Sequence, residues 1–158
     1  MNYVFDTNSF SELKHFYPDV FKSVWTGLDK IVDAGKLIST REVWKELERG
    51  DPDQHLNEWL KRKGIGKIFT TPTPEEMLFV QTIFSVPHFH SLLGKTQILN
   101  GVPVADPFVI SCAKIRQGVV VTEERYKPNA AKIPNVCEHF NIPCINLEQF
   151  MQEQAWNF

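Results

Sequence analysis

The stretch Tyr3-Val4-Phe5-Asp6-Thr7-Asn8 constrains the fold more than any other. Three apolar, β-prone residues run straight into a carboxylate, a hydroxyl and an amide. That is the pattern of a buried first strand delivering polar groups to its carboxyl end. In open α/β sheets, sites form just outside the carboxyl ends of strands. A carboxylate buried there without a partner is costly, so Asp6 has to be hydrogen-bonded, paired or bound to a cation. The rest of the chain has to supply what it meets.

The same logic recurs late in the chain. Val119-Val120-Val121 is the clearest buried parallel-strand run, and it ends in Thr122-Glu123-Glu124. Between and around these two runs, helical and extended patterns alternate. Ser9-Phe10-Ser11-Glu12 fits a capping box at a helix start. Val20, Phe21, Val24, Trp25, Leu28, Ile31 and Val32 recur at helical spacing, with Gly35 as a stop. Leu37-Ile38 reads as a short strand. Ser39 then caps a helix in which Glu42 takes the third position of a capping box, while Glu46 lies one turn further in, beside the core face of Val43 and Leu47. Gly50 to Asp53 is a turn. Gln54 to Lys63 is a helix with Leu56, Trp59 and Leu60 inward and a solvated basic end, Lys61-Arg62-Lys63. Ile65 to Thr70 is extended. Thr73-Pro74-Glu75-Glu76 opens another helix, with Met77, Val80, Ile83 and Phe84 as its core stripe. Val86 to Ala105 is irregular; its His88 and His90 have no third ligand at helical spacing and read as loop histidines. Asp106 with Pro107 is good start chemistry for an apolar, buried helix, which Gly118 ends. Helices over Ile133 to Phe140 and Leu147 to Gln154 flank a short strand at Cys144-Ile145. This alternation predicts an α/β fold: a central, mostly parallel sheet of four to five strands flanked by helices.

Bulk properties narrow the function. The 158 residues fit a single domain, 1–158. Seventeen basic against nineteen acidic residues give a net charge of −2, so any polyanion binding requires a local basic rim. The N-terminal residues have no signal-peptide pattern. No apolar run approaches the roughly 18 residues of a bilayer span. Three cysteines without tight metal spacing read as reduced packing thiols. A cytoplasmic protein with no membrane role is expected.

Asp6 and Glu124 follow apolar strands, Asp106 opens a helix leading into the second of those strands, and Glu46 follows another strand. All four can face one end of the sheet. Bare carboxylates brought together repel, and some stay protonated. A hard divalent cation, Mg²⁺ or Mn²⁺, resolves the repulsion with oxygen ligands and retained waters. It also activates water and neutralises a phosphate under attack. Acids without Cys or His ligands therefore point to phosphodiester hydrolysis.

At these residues the chain resembles the PIN-domain family of metal-dependent ribonucleases, which includes VapC-type toxins. Val4-Phe5-Asp6-Thr7-Asn8 matches the family's strand ending in D-x-N or D-x-S. Glu46-Leu47 matches its helical glutamate followed by leucine. Ala105-Asp106-Pro107-Phe108-Val109-Ile110-Ser111-Cys112-Ala113 matches its aspartate-led, Ala- and Ile-rich helix. Thr122-Glu123-Glu124 stands where the family usually has T-x-D, and the glutamate is a departure that leaves Glu123 and Glu124 as alternatives. The resemblance spans nearly the whole chain, with the motifs in order, and is to a less characterised bacterial branch. It implies a PIN-like fold and an endoribonuclease dependent on Mg²⁺ or Mn²⁺. Asp6 and Asp106 would be the main metal ligands, and Glu46 and Glu124 further ligands or water-positioning groups. Asn8, Thr122, Glu42 and Glu123 would support them. Arg41, Lys45, Arg125 and Lys127 would bind the RNA backbone, an effect weakened by salt. It also implies the toxin of a bacterial toxin–antitoxin pair, with an antitoxin protein as partner. Trp44 and Trp59, read as exposed aromatics, leave room for a homodimer.

Two other classes compete. An aspartate-based phosphatase also places acids after the first strand, but it wants D-x-D, and position 8 is Asn. A catalytically weak PIN-like module that binds RNA or a protein without cutting is the other, and the glutamate of the fourth motif is the feature that favours it.

Overall fold

The computed structural model describes residues 1–50, 54–62, 64–93 and 105–157. The expected turn at 51–53, the basic Lys63 and the glycine- and proline-punctuated stretch 94–104 lie outside the described residues.

Five short strands form one sheet: β1 (Tyr3–Phe5), β2 (Leu37–Thr40), β3 (Phe69–Thr70), β4 (Val119–Val121) and β5 (Cys144–Ile145). Every pairing is parallel and the order is β3-β2-β1-β4-β5. The expected α/β class with a parallel sheet is therefore what the chain adopts, consistent with a PIN-like fold. The chain starts in the middle, builds β2 and β3 on one side, then crosses back to lay β4 and β5 on the other. That reversal puts the switch point of the sheet between β1 and β4. Val4, Phe5, Val120 and Val121 have no exposed surface, because both faces of the central strands are covered.

Helices α1 (Thr7–Glu12), α2 (Lys22–Asp33), α3 (Arg41–Arg49), α4 (Gln54–Leu60), α5 (Pro74–Phe84), α6 (Asp106–Arg116), α7 (Ile133–His139) and α8 (Leu147–Glu153) surround the sheet, with short 3₁₀ turns at Leu13–His15, Gly66–Ile68 and Pro87–Leu93. Side chains alternate along a strand. Tyr3 and Phe5 turn to α8, where Phe150 meets both rings edge-on at 4.9 and 5.0 Å. Helix α6 packs across β1 and β2 and against α5. Between α6 and β4 the chain passes through Gln117 at φ 54°, and a Cβ on Gly118 would stand 2.8 Å from the Asn2 carbonyl. No helix among the described residues is long and apolar enough to cross a membrane.

Several local expectations shift. Helix α1 starts at Thr7, not Ser9, because Asp6 itself caps it; the buried Ser9 hydroxyl donates to the Val121 carbonyl instead. Strand β2 runs on through Ser39 and Thr40, which pair with Phe69 and Thr70. Thr40 therefore becomes the cap of α3, accepting from the Val43 N–H, and Ser39 donates to the Phe5 carbonyl. Val20 precedes α2 and is 72% exposed, and Met77 lies on the outer side of α5. Trp59 is buried, with Nε1 donating to Asp29, and Trp44 is half-buried against Phe69. The exposed aromatics invoked for a dimer are thus spent on the core. Arg62 of the basic helix end pairs with Asp29 at 2.8 Å.

Candidate active site

The site stands at the carboxyl ends of β1 and β4. Asp6 follows directly on β1, its backbone N–H continuing the ladder to the Val121 carbonyl at 3.0 Å. Its side chain is nearly buried at 3% exposure. One carboxylate oxygen accepts from the Thr7 N–H at 2.7 Å and the other from the Thr122 hydroxyl at 3.0 Å. Those two bonds favour the charged form. Burial opposes it and dominates, and the charges of Glu124 and Glu46 add to the opposition, so the group is pushed up to about 7.

Asp106 begins α6, but it does not cap it. Ala105 takes the cap position without a side-chain bond, Asp106 is the first helical residue and Pro107 the second. The expected capping role therefore falls away. The half-buried Asp106 carboxylate has no hydrogen bond to any described residue. Burial pushes it up to about 8, helped by the negative charges of Asp6, Glu124 and Glu46; Lys132 works the other way. Asp6, Glu46, Asp106 and Glu124, from four segments, thus share one electrostatic neighbourhood.

Glu46 is fixed at both ends of its carboxylate. The Thr7 hydroxyl donates to one oxygen at 2.5 Å and the Ala105 N–H to the other at 3.1 Å. It ties α3 to α1 and to the start of α6, the segments carrying Asp6 and Asp106. Glu124 accepts from the Ile133 N–H at 2.8 Å, at the start of α7. Glu123 accepts from the Leu147 N–H at 2.7 Å, at the start of α8. Of the two glutamates, Glu124 is the one whose charge reaches Asp6 and Asp106. Asn8 closes the layer, its side-chain oxygen accepting from the Glu123 N–H at 2.9 Å with the Thr122 hydroxyl 3.3 Å away.

Glu42 does not join the cluster. It sits second in α3, not third, so no capping box with Ser39 forms. It is 2% exposed, pairs with Arg41 at 3.1 Å and leaves its other oxygen without a hydrogen-bond partner. Arg41 is accordingly committed to a structural pair. Lys45 is half-buried on α3, while Arg125 and Lys127 are exposed on the loop after β4. The backbone of Lys127 is held on both sides by Asn135, which accepts from its N–H at 3.4 Å and donates to its carbonyl at 2.7 Å. His88 and His90 meet different carbonyls, those of Ala130 and Phe84. The cysteines are free thiols: Cys112 and Cys137 buried, Cys144 half-buried.

Two roles were not assigned from the sequence. Thr7 holds Glu46, and Lys132 is the cation facing Asp106. Thr7 carried a signal, since it lies in the opening motif between Asp6 and Asn8. Lys132 lies eleven residues past β4, in the basic, aromatic loop that the sequence places beside Glu123 and Glu124.

The donor set is carboxylate and hydroxyl oxygen throughout, the chemistry of a hard cation. Among the described residues no three acidic, histidine or cysteine side chains already stand close enough together to grip one ion.

The domain family described as "Domain of unknown function (DUF4411)" matches residues 3–158, and the chain belongs to it. No curated protein gives a significant match to the chain.

Proposed function

We propose that this DUF4411 chain is a PIN-like endoribonuclease that uses Mg²⁺ or Mn²⁺ to cleave RNA phosphodiester bonds. The observation that carries the reading is the burial of Asp6 and Asp106 at the carboxyl ends of the central strands, where Glu46 and Glu124 add negative charge to both. Among the described residues Lys132 is the cation that offsets Asp106. Acids kept in that state are the usual mark of a functional site.

In this reading Asp6 and Asp106 would hold the cation, and Glu46 and Glu124 would serve as further ligands or position its water. A bound divalent ion lowers the pKa of a coordinated water and neutralises charge on the phosphate. The residues of the chain do the rest. Thr7 and the Ala105 N–H fix Glu46, Thr122 orients Asp6, and Arg125 and Lys127 offer positive charge to the phosphates flanking the cleaved bond. The test is metal-dependent cleavage of single-stranded RNA. Asp6→Asn and Asp106→Asn are each expected to lose roughly a hundredfold or more, the scale of removing one electrostatic contributor at a reacting phosphate. Equal cleavage by the parent and both variants would refute the assignment. The further reading as a toxin predicts growth arrest on expression of the chain alone, abolished by the same substitutions.

A PIN-like module that binds RNA or a protein without cutting is the second reading. It is favoured by Glu46 and Glu124 each already holding a backbone N–H, as structural struts do. An aspartate-based phosphatase fits less well. Asp6 is 3% exposed with both oxygens engaged, a poor posture for an attacking nucleophile.

A further inference from the structure

The loop after β4 separates two cavities, and Tyr126, 53% exposed, lines both. The first, about 190 Å³, is walled by Glu123, Arg125, Asn146 and Gln149 and borders the acidic site at Thr122 and Glu124. The second, about 300 Å³, lies between the 3₁₀ turn at Pro87–Leu93 and α7 and takes no part in the chemistry proposed above. Its character is different. His88, Phe89, Tyr126, Asn129, Glu138 and His139 line it, with no lysine or arginine among the described lining residues.

The walls of this second cavity are tied together by ring contacts and hydrogen bonds. Phe89 is buried and meets the His139 ring edge-on at 5.2 Å, and His139 in turn meets Phe140 at 4.7 Å. His88 lies beside Phe89 at 5.7 Å with its Nε2 3.2 Å from the Ala130 carbonyl. Asn129 holds a left-handed backbone, φ 64°, and Asn135 pins the loop at Lys127 from inside. Aromatic rings with open faces, an amide and a carboxylate, all preformed, are the means by which proteins hold an unstacked base: stacking on the ring and hydrogen bonds to its edge. A phosphate is the wrong guest. Glu138 would repel it, and among the described residues lining the cavity none carries a fixed positive charge.

We propose that this cavity is a nucleobase subsite, receiving the unpaired base of a nucleotide neighbouring the phosphate at the acidic site, with Tyr126 as the shared wall between them. The inference rests on the RNA-cleaving reading for its substrate, and it makes the enzyme one for single-stranded RNA, because a base held in a duplex cannot enter.

The test separates the two claims. In EDTA, where metal-dependent cleavage is silent, the full chain is titrated with a single-stranded RNA tetranucleotide, with its abasic counterpart and with inorganic phosphate, followed by the backbone amide resonances of Asn129, Ala130, Glu138 and His139. The intact tetranucleotide should shift these signals, and the abasic strand and phosphate should not. Tyr126→Ala and His139→Gln should each weaken binding roughly fivefold or more, the lower end of a lost base stack. With Mn²⁺ present the same variants should raise KM and leave kcat within about twofold. Equal shifts from the abasic strand, or parental binding by both variants, would overturn the subsite even if the parent cleaves RNA. Base-dependent binding without any metal-dependent cleavage would keep the subsite and remove the nuclease.

Discussion

The Thr122 hydroxyl donates to Asp6 across 116 positions of sequence, at 3.0 Å. The bond spans the two central strands at the point where the strand order reverses. A hydroxyl has one proton, and Asp6 is nearer to it than Asn8. The same oxygen accepts from the Glu124 N–H at 3.2 Å. Thr122 therefore orients one acid through its side chain and a second through that acid's backbone. It is a positioning residue. Thr122→Val should lower kcat on RNA about tenfold with little change in KM, and Thr122→Ser should restore most of it. A valine variant with parental kcat would remove Thr122 from the account.

Metal-free stability should fall as pH rises. Burial, and after it the charges of neighbouring acids, raise Asp6 to about 7 and Asp106 to about 8 in the folded chain, against roughly 4 when unfolded. A raised carboxyl binds more protons folded than unfolded between those values, so its stabilising effect is complete below pH 4 and is lost as pH climbs to about 8. At about 1.4 kcal/mol for each tenfold change in proton affinity, the loss from pH 5 to pH 8 should be on the order of 2 kcal/mol or more, apart from other titrating groups. Thermal unfolding in EDTA at the two pH values measures it. Asp106→Asn should flatten the dependence.

Glu46 and Glu42 share one helix and should behave in opposite ways. Glu46 is held by Thr7 and the Ala105 N–H within reach of both aspartates, whereas Glu42 is buried apart from them against Arg41. Glu46→Gln should reduce RNA cleavage tenfold or more. Glu42→Gln should leave cleavage within about twofold when assayed below its unfolding temperature. Equal losses for the two would mean that the helix matters only as scaffold.

Away from the site, Glu76 closes the capping box that Thr73 opens at the start of α5 and is 2% exposed at its side chain, where it takes the Arg116 guanidinium at 3.1 Å. Breaking a buried pair leaves an uncompensated charge. Arg116→Ala should cost about 3 kcal/mol in denaturant unfolding and leave kcat on RNA unchanged at permissive temperature.

The parts of this site legible in the sequence are those set by strand period and helix punctuation. Tyr3 to Asp6 and Val119 to Glu124 announced buried strands with acids at their ends, and parallel pairing of β1 with β4 does the rest. What misled was competition between neighbouring options of nearly equal quality. Ser39 and Thr40 both cap helices well, and pairing with β3 drew Ser39 into the strand, which moved Glu42 by one position and out of any capping box. Asp106 reads as a cap from its neighbours, yet Ala105 takes that place. Trp59 turns inward as its helical spacing predicts, and Asp29, thirty residues earlier, supplies the partner for its Nε1, so it is not available to a dimer as the exposed reading had it. Thr7 and Lys132 act only through tertiary return of the chain, which no local pattern encodes.

The central claim is that distant acids form one centre for a hard cation, and calorimetric titration of the metal-free chain with Mn²⁺ tests it most directly. The account predicts saturable heat at or below millimolar Mn²⁺ that is lost in both Asp6→Asn and Asp106→Asn and kept in Glu42→Gln. No heat from the parent, or parental binding by the two aspartate variants, would contradict it.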